Sequence, residues 1–287
     1  MILLLSIALA LLSASKVAVQ GKFTRKAGKN ELDLYFFNGG VFLIISLLSL
    51  GLGIDKISAP TLICGIIFGI LSTLFQSFYM KAMSTGPVSL AVIISNCAIF
   101  IPIIFCTVVY GDELGIFKII GLVLLVSALF LMMSKKDESA ASKKWVFFIL
   151  VVFFSNGFAY VVMRIHGHSE AMLESAGFLL VSYLSAAVCS FLVCGVEWAR
   201  GRRLSYKPLS KSALPYILFT ALILGAYQYL NLYVTRTFES TIAYPLNCMT
   251  TMLVSTLFGV VLFRDRLTRV NVIGIVFGIT AIIFTYI

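Results

Sequence analysis

Charge is what this chain has least of. Acidic and basic residues make up 12% of its 287 residues, about half the share usual in soluble domains. Only 12 residues are carboxylates, and every one falls in a loop or at the edge of an apolar run. An acid buried at mid-run, able to hold a cation and to take a proton, is missing, which argues against proton/cation antiport of the small multidrug type and favours a neutral, zwitterionic or anionic solute. The cysteines, Cys64, Cys97, Cys106, Cys189, Cys194 and Cys248, sit singly in apolar runs with no C-x-x-C spacing. Neither a disulfide frame nor a metal site is expected from them. No G-x-S-x-G, H-E-x-x-H, Walker loop or dinucleotide glycine pattern occurs, so an enzyme is not expected, and neither is a cofactor.

What fills the space is hydrocarbon. Sixty per cent of the residues are hydrophobic and the mean hydropathy is +1.04, which reads as an integral membrane protein with room for roughly ten crossings of about 20 to 25 residues each. The clearest stretch is 86–133, which opens at Gly86-Pro87, breaks at Tyr110-Gly111-Asp112-Glu113-Leu114 and is apolar on either side. Each arm is long enough to cross a bilayer core of about 30 Å. The design returns over 240–287, broken at Phe263-Arg264-Asp265-Arg266-Leu267. A shift of 153 positions pairs Phe105 with Phe258, Val108 with Val261, Asp112 with Asp265, Leu114 with Leu267, Gly121 with Gly274, Val123 with Val276 and Ala128 with Ala281 without a gap. Internal repeats of this kind mark transporters, whose solute site lies near mid-membrane between the copies.

The hydropathy pattern predicts an all-α membrane protein of ten transmembrane helices in a five-plus-five inverted repeat. The expected spans are 2–19, 34–52, 61–80, 87–109, 116–133, 145–163, 176–196, 215–234, 241–263 and 270–287. The first is read as a retained helix, since no charge precedes Lys16 and a basic loop follows. Residues 1–134 form the first repeat, the charged segment 135–144 the linker, and 145–287 the second repeat. Lys and Arg are concentrated on one set of loops: the odd-numbered loops carry 17 and the even-numbered ones only Lys56, Lys118, Arg164 and Arg236. By the positive-inside rule the odd loops are cytoplasmic and both termini lie outside. The net charge of +10 is thus a topology signal, and no nucleic-acid partner is expected. The cell membrane, plasma or inner, is the expected location.

Gly86-Pro87 at the opening of span 4, the Gly-Asp-Glu-Leu turn after it and the glycine of the following span resemble the drug/metabolite transporter superfamily, in particular its EamA-type branch. The resemblance covers nearly the whole chain. It implies a carrier of amino acids, nucleotide sugars, phosphorylated sugars, purines or other metabolites. In that superfamily the last helix of each half resembles a dimerisation site, which makes span 10 a candidate contact for a homodimer. The second turn departs from the family pattern, with Arg264-Asp265-Arg266-Leu267 where a Gly-Glu pair is usual. Better-known branches also place both termini in the cytoplasm, against the charge count.

A solute crossing the bilayer must exchange its water for protein polar groups, and an unpaired one costs several kcal/mol in hydrocarbon. The candidates are therefore the polar residues embedded in the runs. Tyr227, Gln228 and Asn231 cluster on one side of span 8, and Gln76 and Tyr79 on span 3, with Gln76 one position from Gln228 in the repeat register. Asn96 on span 4 and Tyr244 and Asn247 on span 9 complete the substrate-binding set, with Pro102 and Pro245 as gating residues, because a proline frees a carbonyl one turn back. The competing reading is plain interhelical hydrogen bonding. Lys16 either snorkels to the interface or anchors an anionic group of the solute. His166-Gly167-His168-Ser169-Glu170 reads as a solvated turn sooner than as a metal site. Gly65-x-x-x-Gly69 and Gly274-x-x-x-Gly278 permit close helix approach.

The function expected is a secondary transporter of a small polar metabolite, such as an amino acid or a nucleotide- or sugar-like solute, working by alternating access between spans 3, 4, 8 and 9. A lipid-handling flippase or a membrane scaffold is the alternative. The charge asymmetry is checked by fusing a reporter after Ile287: activity on the outer side alone is expected, and activity confined to the cytoplasm reverses the orientation.

Overall fold

A backbone N–H or C=O in lipid has no water to bond, so each apolar run must close its own hydrogen bonds as a helix. The computed structural model describes residues 2–26, 31–54, 56–85, 94–131, 143–205, 213–263 and 269–286, and these form ten long helices and no strand. They are α1 (Ile2–Lys26), α2 (Glu31–Leu50), α3 (Ala59–Thr85), α4 (Phe100–Tyr110), α5 (Ile116–Leu131), α6 (Lys143–Gly167), α7 (Ser175–Ala199), α8 (Leu214–Thr237), α9 (Ser240–Phe263) and α10 (Arg269–Tyr286). Five of them, α2, α3, α6, α7 and α8, are long and apolar enough over the described residues to cross a membrane. The Gly86-Pro87 opening, the segment 132–142, the turn 264–268 and Lys207 and Lys211 lie outside the described residues.

The helices overrun the apolar stretches. α1 continues to Lys26 and α6 to Gly167, because the first polar residues beyond a run still propagate the ladder at one hydrogen bond per residue. Helix starts and stops follow local chemistry. Pro60 and Pro215 stand at the second residue of α3 and α8, where the missing N–H has no intrahelical role. Glu31 and Asp33 lie in the first turn of α2, the end at which negative charge is favoured. α4 ends at Gly111, whose φ of 72° is left-handed and whose N–H bonds the Cys106 carbonyl. That conformation suits glycine, which has no Cβ to clash.

The chain folds into two compact units, and each draws on both halves of the sequence. One unit gathers residues 15–77 and 162–232. Its centre is α2 against α7, with α3 packed on α7 through glycine. A Cβ at Gly65 would lie 2.8 Å from Val181 Cγ1, and one at Gly69 would meet the Ser182 carbonyl and the Ser185 hydroxyl and lie 2.9 Å from Ala186 N. The closeness lets Thr73 Oγ1 reach the Ala186 carbonyl at 3.2 Å. Aromatic rings fill the seam: Tyr183 of α7 contacts Phe42 of α2 and Phe68 of α3 at ring-centroid distances of 5.6 and 6.4 Å. At one end, Arg202 bonds Glu31 and Glu197, and the Ser205 N–H donates to Asp33 Oδ1 at 2.8 Å.

The other unit gathers residues 1–14, 78–161 and 233–287. Here α5 lies along α10, and α9 contacts α4, α5 and α10. Ile99, Ile103, Leu122, Leu125, Tyr244, Cys248, Met249 and Ala281 form its buried apolar centre. Lys118 of α5 caps this arrangement, donating to Glu239 Oε2 at 3.2 Å and to Thr241 Oγ1 at 3.3 Å. A Cβ at Gly278 would sit 2.9 Å from the Met252 methyl, so that glycine serves the packing of α10 on α9. Large aliphatic side chains such as Leu4, Val108, Leu192 and Ile283 stand exposed, which suits a bilayer and no aqueous surface of this size.

Gly69→Ala forces α3 off the α7 backbone and is expected to cost about 1–3 kcal/mol, the usual penalty for overpacking. Gly195→Ala on α7, where a Cβ meets nothing within 4 Å, is the control and leaves stability level or higher. Thermal unfolding in detergent of the two variants beside the parent separates them.

Candidate solute site

Of the residues the sequence nominates, Lys16, Gln76, Tyr227, Gln228 and Asn231 fall in the α2/α7 unit, and Tyr79, Asn96, Pro102, Tyr244, Pro245 and Asn247 in the α9 unit. Within the first set, α8 brings three together. Gln228 is hydrogen-bonded to Tyr183 of α7, and Tyr227 stands close enough to Tyr183 to act on it electrostatically. The other end of the Gln228 amide, Oε1, is buried and has no hydrogen-bond partner. Asn231, only 2% exposed, directs Nδ2 to the Met163 thioether at 3.8 Å. Gln76 is buried on α3 and Lys16 is half-buried on α1.

Sequence reasoning missed Tyr183. Its ring is 1% exposed, wedged among Phe42 and Phe68, and its hydroxyl is what orients the Gln228 side chain. A single tyrosine among twelve carries no periodic signal. The available clue was its place next to Ser182 and one helical turn before Ala186, small residues at which another helix can come close.

In the α9 unit, Tyr244 is buried, lies 5.1 Å from the Tyr160 ring and donates to the Tyr160 carbonyl at 3.3 Å. Asn247, 8% exposed, keeps Oδ1 buried and unpartnered. Asn156 Nδ2 donates to the Ser95 carbonyl at 3.0 Å, beside Asn96. Pro102 has the effect on the chain that its chemistry requires. It has no N–H for the Ala98 carbonyl, the helix is interrupted at Ala98-Ile99, and the Ile101 N–H takes that carbonyl instead at 3.1 Å. Gly157 of α6 accommodates the break, since a Cβ there would lie 2.9 Å from the same oxygen. Pro245 stands inside α9, which runs through it unbroken.

The His166 motif departs from the sequence reading. His166 belongs to the last turn of α6 and is fully buried, so it is no solvated turn. Its ring stacks on Phe178 at 4.5 Å, and Nε2 lies 3.1 Å from Thr61 Oγ1. Thr61 donates onward to Glu174 Oε2, which also accepts from the Ser58 N–H at 2.8 Å and the Ser58 hydroxyl at 2.9 Å. These donors, led by the Ser58 N–H, hold the Glu174 carboxyl below its ordinary pKa, because each bond favours the charged form. Among the described residues no group of three His, Cys, Asp or Glu side chains is placed to hold a metal.

Apolar helices with buried amides and phenols define a multi-pass α-helical membrane protein. The sequence pattern of the EamA-like transporter family matches residues 4–134 and again residues 143–287, and the chain belongs to that family. Its members are membrane transporters of the drug/metabolite type. No curated protein matches the chain. A solved crystal structure described only as that of a protein is similar over 99% of this chain and 95% of its own, with a TM-score of 0.73 at 15% identity, and shares the fold.

Tyr183→Phe keeps the ring packing and removes the hydroxyl from Gln228. A loss of roughly 1–2 kcal/mol is expected, the cost of one buried hydrogen bond and the amide it leaves unpaired, read from thermal unfolding against the parent.

Proposed function

We propose that the chain is a secondary transporter that carries a small polar metabolite, an amino acid or a nucleotide- or sugar-like solute, by alternating access. On this reading it crosses the membrane ten times, as two five-helix copies inserted in opposite senses. Gln228 supplies the principal polar contact to the solute, Tyr183 fixes the amide's direction, and Tyr227 and Asn231 flank it on α8. Pro102 supplies the bend that gating needs.

One observation supports this reading most: Gln228 holds one end of its amide by a hydrogen bond and leaves the other buried and unpaired. A buried polar atom without a partner costs about 1–3 kcal/mol. A solute that supplies the missing partner would offset that cost. The absence of a mid-run carboxylate from the sequence adds that the solute is not recognised as a cation.

The test is a thermal-shift screen of the purified protein against a panel of amino acids, nucleosides, nucleotide sugars and sugars. A ligand at a hundred times its dissociation constant stabilises by about 2.7 kcal/mol. Gln228→Leu is expected to abolish that shift while leaving unliganded stability within about 1 kcal/mol of the parent. A ligand that shifts the variant as far as the parent removes Gln228 from the site.

A further inference from the structure

The sequence provides two histidines, two positions apart, and only one of them is at the inner end of a continuous hydrogen-bonded chain. Glu174 stands at the entry to α7, half-buried. Its Oε2 accepts from the Thr61 hydroxyl, and Thr61 Oγ1 is 3.1 Å from His166 Nε2. A hydroxyl has one proton to donate. Since Thr61 gives it to the carboxylate, the Thr61 oxygen accepts from His166, and Nε2 carries hydrogen. The order is therefore His166 N–H to Thr61 O–H to Glu174 carboxylate, all inside one compact unit.

We infer that His166, Thr61 and Glu174 form a proton-loading site, whose ligand is a proton taken from water at the α6–α7 turn. Unloaded, the site holds a neutral imidazole and one carboxylate. Loading adds one proton to the second ring nitrogen and makes the site a net-neutral imidazolium–hydroxyl–carboxylate chain. Nothing is oxidised or reduced, and no bond other than N–H forms. The added proton sits on the buried Nδ1, and Glu174 acts on it through Thr61, whose oxygen accepts from Nε2 while its hydroxyl donates to the carboxylate. The proton rests on the imidazole because Glu174 Oε2 already accepts three hydrogen bonds, from the Ser58 N–H, the Ser58 hydroxyl and Thr61, which suit a carboxylate and not an acid. The stacked Phe178 ring, 4.5 Å away, offers its face to the imidazolium.

The other titratable or charged groups on the elements around the ring are few. They are Arg164 on α6, His168 and Glu170 in the turn, Lys56 on the loop before α3, which acts on Glu174, and the Cys64 thiol on α3. Arg164 and Lys56 oppose a positive imidazole and Glu170 favours it. The inference stands apart from the solute reading, because it concerns a proton and needs no substrate to be tested.

Because the chain has two histidines, a His168→Asn background leaves one imidazole, and histidine-selective carbon-13 labelling gives one resonance to follow from about pH 4 to pH 9 in detergent. A single titration is expected. Glu174→Gln, which keeps the shape and removes the charge, is expected to lower its midpoint by one pH unit or more, the size of effect an opposite charge at close range produces. Thr61→Val is expected to lower it too, and Thr61→Ser, which restores the hydroxyl, to return it to the background value. A midpoint that stays within about 0.3 units of the background in either Glu174→Gln or Thr61→Val overturns the site. So does a resonance that does not titrate in the background protein. Should Glu174→Gln not fold, the Thr61 pair decides the question alone.

Discussion

Inside a bilayer every backbone polar group must find its partner within the protein, and the rest of this structure depends on that requirement. It makes each apolar run a helix. It also removes the hydrophobic effect as the force between helices, because lipid tails are as apolar as leucine. What remains is contact distance. Gly65 and Gly69 let α3 rest on the backbone of α7, and that approach brings Thr73 to the Ala186 carbonyl and Phe68 to the Tyr183 ring. The polar groups of the α2/α7 unit are held by the consequences of two missing side chains.

The same requirement orders the polar residues by how far their partners already lie within the protein. Serines and threonines in these helices mostly bond backwards, as Ser49 does to Ile45, Thr73 to Gly69 and Thr250 to Leu246, and such residues are spoken for within their own helix. Asn156 is spoken for by the Ser95 carbonyl. Asn231 has only a thioether, a weak acceptor. Gln228 and Asn247 each keep a buried oxygen that nothing satisfies. Residues of equal polarity on paper thus fall into an ordered series of commitment.

The helices were legible because length and apolarity are summed over twenty residues, and errors in single positions cancel. Nine of the ten helices stand close to where the hydropathy pattern puts them, with ends displaced by a turn or less in most cases, while α4 begins only at Phe100 within the expected span 87–109. The glycine pair on α3 was legible as a close approach, although its partner α7 was not, since spacing gives a face and no direction. Tyr183 was invisible because its role depends on which helix lies opposite. Gln228 and Asn231 were nominated by the rule that polar groups in lipid need a reason, but the rule says nothing about whether the reason is a neighbour or a ligand.

His166 shows where pattern reading fails in physical terms. Arg164, His166, His168, Ser169 and Glu170 look like a solvated corner because five polar residues in seven rarely lie inside anything. Yet the helix continues through them to Gly167, and a continuing helix carries its face with it. His166 lies three residues beyond Met163, the last residue of the apolar stretch, so it inherits the inward face that Met163 began, and Met163 is itself 2% exposed. The imidazole is then buried by geometry before any partner is found for it. Thr61, the third residue of α3, and Glu174, just before α7, meet it there because both helices start at the same corner of the unit. Burial of such a group is tolerable only with a compensating chain of hydrogen bonds, and a carboxylate with three donors stands two bonds away.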